Sequence, residues 1–460
     1  MPACSIVFDC GKTRLKASLI DAQGRILAQQ QTDSMMADLP PYPHLRVDDV
    51  WQWLLNVLTD FARLEADIRC IIPVTHGATA AVLAGDRLAF PVMDYEWILP
   101  ESADSDYEAL ARDYSLTGSP ALPAGLNLGR QLYWLRQARD FRNVTAILLY
   151  PQYWAWRLSG VMASEITSLG CHTDLWNIAE NRMSSWLERL DIARLFPALR
   201  PAWDRLGPIL PAVAARTGLP PECMVVNGIH DSNATYLRYL AAGAAANATA
   251  ISTGTWVVVF AGGADPRRLD PARDMLANID SFGKPVPCAR FMGGREYEAI
   301  AGSSSVSRQA GFAEIQSIID SKAWCWPSFA PQGGPYRQHT GSIQGDAAAV
   351  PLACLYLALL TEDVVRRFET HGDVYIDGPF AANAAYTGIL AALLAPRRVF
   401  ISDDIQGTTL GAWLLGQPSL HATLPALQVV SPWALNGLAD YQSTWRAGVA
   451  QRDAVLSASA

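Results

Sequence analysis

The chain has 460 residues, too many for one ordinary hydrophobic core, so two domains are expected. Half of it is hydrophobic and 17% is charged, the composition of a folded protein with large buried sheets rather than a disordered one. A net charge of −8 argues against a nucleic-acid partner, which would want a basic face.

The first thirty residues read as three consecutive strands: an apolar run at Ser5–Phe8, a second at Leu15–Ile20, then a turn at Asp21–Gly24 before Ile26 and Leu27. A polar turn, Asp9-Cys10-Gly11-Lys12-Thr13, joins the first two. Trp51, Leu54, Leu55, Leu58 and Phe61 fall at helical spacing within Val50–Leu64. Ile71–Thr75 reads as a buried strand ending at His76-Gly77. In the second half, Ala250–Phe260 is a strand–turn–strand broken by Ser252-Thr253-Gly254-Thr255. A helix over Pro351–Phe368 precedes a strand at Asp373–Ile376, which ends in Asp377-Gly378-Pro379. A helix over Asn383–Leu394, a strand at Val399–Ile401 and a closing helix over Asp404–Leu415 complete the pattern. Strands alternating with helices indicate an α/β fold, and two halves each opening on a hairpin with a polar glycine turn suggest duplication.

Eight cysteines, at positions 4, 10, 70, 171, 223, 288, 325 and 354, include no CxxC pair, so neither a zinc ribbon nor a disulfide framework is indicated. Reduced, buried thiols in a cytoplasmic protein are expected. The start, MPACSIVFD, shows no signal-peptide pattern. The longest apolar run, Ala347–Leu360, is too short to span a bilayer and contains Pro351, so it reads as a buried helix.

Several residues could carry chemistry. The Asp9–Thr13 turn can aim N–H groups at phosphate while its acid holds a hydrated cation, or it can be an ordinary hairpin turn. Ser252–Thr255 has the same two readings, phosphate grip or self-capped turn. His230-Asp231 follows a strand, where functional groups gather in α/β sheets, and Asp231 could serve as a general base or as the N-cap of a helix from Asn233 to Leu240. His76 stands at another strand end. Tyr153, Trp154 and Trp156 read as core rather than as a sugar platform.

The order of these features resembles the FGGY carbohydrate kinase family from end to end. The matching segments are DCGKTRLK at Asp9–Lys16, GIHD at Gly228–Asp231, STGTW at Ser252–Trp256, the turn Asp377–Phe380 with Asn383 downstream, and Gln406–Ala412. The HD pair, the STGTW hairpin, Ser164–Ser168 and Ser168–Trp176 are closest to the rhamnulokinase-like branch. The resemblance implies two ribonuclease-H-like domains of the actin/hexokinase type, residues 1–240 for sugar and catalytic base and 241–460 for ATP, with a nucleotide and sugar cleft between them. It further implies ATP-dependent phosphorylation of a deoxy-ketose or related sugar of the L-rhamnulose, L-fuculose and L-rhamnose class. ATP and Mg²⁺ are the expected cofactors, and a monomer or homodimer acting on neither nucleic acid nor membrane is expected.

By the same resemblance, Asp231 would be the base and Asp9 the metal-positioning acid. Gly11, Lys12, Thr13, Lys16, Ser252, Thr253, Gly254 and Thr255 would bind phosphates, and Gly378, Phe380 and Asn383 would contact adenosine. His76, Gly77, Asp94, His172 and His230 would join Asp231 around the sugar. The chain departs from the family at four points: Lys12 replaces a small hydroxyl residue, Glu96 an arginine of an acid–x–arginine sugar clamp, Gln152 an aspartate, and Pro379 a glycine with its N–H donor. An actin-like ATP-binding regulator, or a sugar-binding relative without catalysis, would share the paired hairpins.

Overall fold

A computed structural model describes residues 3–100, 104–111, 113–241, 244, 246–302, 309–402, 407–420 and 427–459. The chain divides into two compact units. The first takes Met1–Gly243 together with Ala277–Pro285 and Gly407–Leu424, so it draws in two segments from beyond residue 240; the second takes Ala244–Leu276, Val286–Gln406 and Pro425–Ala460.

The first unit is built on a seven-stranded mixed sheet. Strand β1 (Ala3–Cys10) pairs antiparallel with β2 (Arg14–Asp21), which pairs with β3 (Ile26–Asp33). On its other side β1 runs parallel to β4 (Asp67–Thr75), followed by β5 (Arg205–Pro208) and β6 (Met224–Val226) in the order β5-β6-β4-β1-β2-β3. A two-residue strand, β7 (Ile229–His230), also pairs parallel with β4. Cys4 to Phe8 are all buried, which is why β1 reads as a continuous apolar run, whereas β3 alternates half-buried with exposed residues as an outer strand should. Helix α1 (Val47–Ala62) buries Val50, Leu54, Leu55, Leu58 and Phe61 on one stripe. Helix α2 (Tyr150–Ser159) buries Tyr153 and Trp154, as expected for core aromatics. Helix α3 (Asp231–Ala241) starts directly after β7. Across from α3 lies the helix Gly407–Leu414, where a Cβ on Gly411 would overlap the Ala234 carbonyl oxygen. Glycine therefore permits backbone-to-backbone approach there.

The second unit repeats the pairing logic. Strand β8 (Thr249–Ser252) pairs antiparallel with β9 (Val257–Ala261), and parallel with β12 (Val374–Asp377). With β10 (Met275–Ile279), β11 (Pro285–Phe291), β13 (Val399–Ser402) and β14 (Leu427–Val429) the order is β10-β11-β9-β8-β12-β13-β14. A hairpin whose first strand takes a parallel partner thus heads both sheets. Helix α4 (Gly293–Ala301) follows β11, and α6 (Ala384–Leu393) follows β12. Between them, α5 (Ala349–Arg366) buries every residue from Val350 to Val365, which accounts for its apolar run.

The last strongly patterned segment was expected to be a helix over Asp404–Leu415. It is helical over Gly407–Leu414, and residues 403–406, including Gln406, lie outside the described residues. The segment does not close the fold: a helix over Leu438–Ser459 follows, burying Leu438, Tyr441, Trp445 and Val449. All eight cysteines are buried thiols outside any disulfide. No helix among the described residues is long and apolar enough to cross a membrane.

Candidate active site

In the first unit three strand ends meet. The register sets Asp9 and Cys10 of β1 beside Val74 and Thr75 of β4, and Ile229 and His230 of β7 beside the same two residues. One residue further on, His76 and Asp231 leave neighbouring strands side by side. Gly228 makes this possible. Its φ is +90°, and a Cβ there would overlap the Pro73 carbonyl oxygen. The turn it forms is held by Gln152, fully buried on α2, whose Nε2 donates to the carbonyls of Asn227 at 3.0 Å and Gly228 at 3.5 Å. Asn227 in turn donates to the carbonyls of Ser164, Arg200 and Pro201.

Asp231 is held by one oxygen. Its Oδ1 accepts from the Ser232 N–H at 2.5 Å and the Ser232 hydroxyl at 3.1 Å, and lies 3.2 Å from Nε2 of His230. Its Oδ2 has no partner among the described residues, and the side chain is 31% exposed. Burial raises its pKa, against the pull of His76. Asp231 opens the first turn of α3, where the helix dipole favours its charge. It does not bond to the N–H groups two or three residues on, so it is not a conventional N-cap.

His230 was expected to touch the sugar, but both of its nitrogens are engaged. Nδ1 accepts from the Asn233 amide at 3.1 Å, leaving the proton on Nε2, which faces Asp231 and the Cys171 thiol at 3.5 Å. The ring is 5% exposed, and burial pushes its pKa down to about 4. His230 is a neutral donor to the carboxylate. Gly77 leaves room for it, since a Cβ there would stand 2.9 Å from His230 Nε2.

His76 has the complementary state. Its Nδ1 donates to the Gly77 carbonyl at 3.0 Å, which leaves Nε2 as a bare acceptor, buried and without a hydrogen-bond partner among the described residues. Burial lowers its pKa, and its ring packs on Tyr150 and edge-on to Tyr95. His172, by contrast, is turned to the Leu126 carbonyl at 2.9 Å.

Asp9 lies 3.4 Å from Lys16, its antiparallel partner, with 16% of its side chain exposed. Burial raises its pKa to about 6 despite that lysine, with the charge of Asp231 adding to the rise. Gly11 closes the hairpin through its N–H to the Arg14 carbonyl at 3.0 Å, and Thr13 is exposed beside it. Lys12, expected at a phosphate or closing the turn, instead directs its ammonium to Asp94, with Glu96 at 3.4 Å.

The second unit carries a cavity of about 330 Å³ lined by Gly254, Thr255, Gly294, Tyr297, Phe380 and Asn383, among others. A brace adjoins two of the lining residues, Gly254 and Phe380. Thr253 donates its hydroxyl to the Asp377 carbonyl at 2.5 Å and accepts the Phe380 N–H at 3.1 Å, so Thr253 ties the hairpin to the Asp377 turn and is not free to grip phosphate. Gly378 has φ +85°, and a Cβ there would overlap the Thr253 carbonyl oxygen. Ser252 ends β8, half-buried beside them. Asn383 caps α6 by accepting the Tyr386 N–H at 3.0 Å and donates its amide to Cys354, so its carbonyl oxygen serves the helix rather than a base.

Sequence reading missed Gly294 and Tyr297. Both belong to α4, whose first residues are Gly293-Gly294; a Cβ on Gly294 would lie 2.6 Å from the Gly254 carbonyl oxygen. The signal was a glycine pair one residue after a strand, the pattern that lets a helix N-terminus approach a loop or an anion.

These features define a phosphotransferase-like class: a carboxylate at parallel strand ends in one unit, and a glycine-lined cavity beside a hairpin in the other. Residues 112–237 match the N-terminal domain of the FGGY family of carbohydrate kinases, and residues 245–423 match the carbohydrate kinase FGGY C-terminal domain. A carbohydrate kinase from Novosphingobium aromaticivorans is 36% identical, the match covering 96% of this chain and 100% of that one at a TM-score of 0.89. The chain belongs to the FGGY family of carbohydrate kinases, with their two-unit, actin/hexokinase-like α/β fold. L-fuculokinase of Escherichia coli (strain K12) is 26% identical over 272 residues, covering 55% of this chain and 56% of that protein, so the match spans about half the length of this curated relative. Ligand-bound xylulose kinase from Lactobacillus acidophilus shares the fold at a TM-score of 0.81 and 15% identity, covering 99% of this chain and 98% of that one.

Proposed function

We propose that the protein transfers the γ-phosphoryl group of ATP to a hydroxyl of a small sugar of the L-rhamnulose, L-fuculose and L-rhamnose class, with Asp231 as general base. The observation that carries this reading is the pairing of two free acceptors, Asp231 Oδ2 and His76 Nε2, at adjacent strand ends, each fixed by a hydrogen bond on its other atom. Such a pair suits a polyol. His76 Nε2 accepts from one hydroxyl while Oδ2 takes the proton of the hydroxyl that attacks the γ-phosphorus; the bond from that phosphorus to the β-bridging oxygen breaks and ADP leaves. His230, neutral and donating to Oδ1, orients the carboxylate without neutralising it.

The cavity beside Gly254 and Phe380 is suited to the nucleotide, with the Tyr297 and Phe380 rings, 5.3 Å apart and edge to face, offering an apolar wall to a base. Mg²⁺ bound with the nucleotide would supply positive charge against the phosphates, and Asp9 is the residue that would help hold it. Asp9 fits it as a single, partly exposed carboxylate, the number expected for an ion that keeps several waters and phosphate oxygens as ligands.

The test is Asp231→Asn in a coupled ADP-release assay against L-rhamnulose, L-fuculose, L-rhamnose and D-xylulose. Turnover should fall about 10²- to 10⁴-fold, with nucleotide affinity nearly unchanged. Retention of most activity removes Asp231 as the base. Silence of the wild type toward every sugar removes the acceptor class.

A further inference from the structure

The three consecutive residues Asp94, Tyr95 and Glu96 are gathered by one side chain. The Lys12 ammonium forms an ion pair with Asp94, lies 3.4 Å from Glu96 and sits 4.8 Å above the centre of the Tyr95 ring. Both ends of the Lys12–Asp94 pair are largely shielded, with side-chain exposures of 18% and 14%, so the attraction is weakly screened. Main-chain bonds complete the loop: Asp94 N–H to the Pro43 carbonyl, Glu96 N–H to Asp94 Oδ1, and Gly125 N–H to the Tyr95 carbonyl. Tyr95 then presents its ring edge-on to His76, 5.3 Å between centres.

We propose that Lys12 is a positioning residue of the acceptor site: it fixes the Asp94–Tyr95–Glu96 loop as a wall beside His76, and that wall selects an uncharged polyhydroxylated acceptor over a sugar acid. The acceptor half of this statement rests on the kinase reading above; the positioning half does not. A lysine already opposed by two carboxylates has little charge left for a phosphate. The charged groups on this loop, the hairpin and the base are the carboxylates Asp9, Asp94, Asp231 and the 65%-exposed Glu96, against two ammonium groups, Lys12 and Lys16. Burial disfavours the charged form of both histidines. This excess of negative charge repels an acceptor carboxylate and offers hydroxyl donors many acceptor oxygens.

Hydrogen exchange of the peptide over residues 93–100 in the wild type, Lys12→Ala and Lys12→Arg gives a readout independent of turnover. Lys12→Ala should speed exchange there about tenfold, and Lys12→Arg should restore most of the protection. ADP affinity, measured by calorimetry, should stay within about twofold in both variants, as expected for a contact that does not touch the nucleotide. With L-fuculose, Lys12→Ala should raise KM about tenfold and leave kcat within about threefold, the pattern of lost acceptor positioning. Unaltered exchange in Lys12→Ala overturns the positioning role. So does an about tenfold loss of ADP affinity with the loop unchanged, which would return Lys12 to the phosphates. Faster phosphorylation of D-gluconate than of the neutral sugars by the wild type overturns the acceptor class. A wild type that phosphorylates nothing defeats the kinase reading alone, because the exchange and ADP measurements still decide the role of Lys12.

Discussion

Glu165 offers a sharp test of how the site is supported. Fully buried, it accepts the Thr167 N–H at 3.0 Å, the Ser168 N–H at 3.2 Å and the Thr167 hydroxyl at 2.6 Å. That same hydroxyl accepts the backbone N–H of His230 at 3.1 Å, one residue before the proposed base. Burial dominates these hydrogen bonds and pushes the Glu165 pKa from 4.5 up to about 7. The folded form therefore holds a proton that the unfolded chain releases two to three pH units lower. This contribution to stability is full below about pH 4.5 and is lost as the pH rises through 7. At about 1.4 kcal/mol per pH unit the loss is on the order of 3 kcal/mol.

Glu165→Gln removes the titration while keeping one acceptor oxygen. A unit of this size shifts by about 2 °C per kcal/mol, so the wild-type melting temperature minus that of the variant should fall by about 6 °C between pH 4.5 and 8. Asp9 and Asp231 titrate in both proteins and cancel in the difference. Scanning calorimetry across that range reads it directly. A difference that stays flat, or grows with pH, refutes the assignment of a protonated, buried Glu165.

Other substitutions test the remaining supports. Gly378→Ala combines a left-handed φ with overlap on the Thr253 carbonyl oxygen, so ADP affinity by calorimetry should fall more than about tenfold while L-fuculose affinity is spared. Tyr297→Ala removes the edge-to-face partner of Phe380; a loss of about 0.5–1.5 kcal/mol predicts an ADP Kd about 2- to 10-fold higher, and an unchanged Kd would take the aromatic wall out of the nucleotide site. Gln152→Glu sets a buried carboxylate against the Asn227 and Gly228 carbonyls, and thermal unfolding at pH 8 should show a penalty of about 2–3 kcal/mol that shrinks as the pH falls and the new acid protonates.

The hairpins, α1, α5 and the strand ends were legible because each depends on short-range pattern: a period of two or 3.6, or a polar turn between apolar runs. Asp231 and His76 were legible for the same reason, since both follow strands. The state of each was not. That His230 is occupied on both nitrogens depends on Asn233 and Cys171, the latter 59 positions earlier in the chain. That Thr253 is a brace depends on Asp377, 124 positions later. Hydrogen bonds of such separation leave no periodic trace. The helix over Leu438–Ser459 was missed for a different reason: Leu438, Tyr441, Trp445 and Val449 carry its buried stripe among polar and small residues, so its apolar signal is sparse.

The four departures from the family pattern look like defects in sequence and turn out to be met locally. An ionised aspartate could not donate to the carbonyls of Asn227 and Gly228, whereas the amide of Gln152 does, so the substitution suits the turn that delivers Asp231. Pro379 lacks an N–H, but it opens the short helix Pro379–Ala382, a position whose N–H has no partner within the helix, and the next N–H, of Phe380, reaches Thr253. Glu96 reverses the expected charge, and Lys12, itself a departure, supplies a cation 3.4 Å away. These last two residues lie 84 positions apart and make sense only together. A site read one residue at a time would count two errors where the fold sets one lysine against both Asp94 and Glu96, which is why Lys12 and Glu96 should be exchanged jointly when the acceptor site is redesigned.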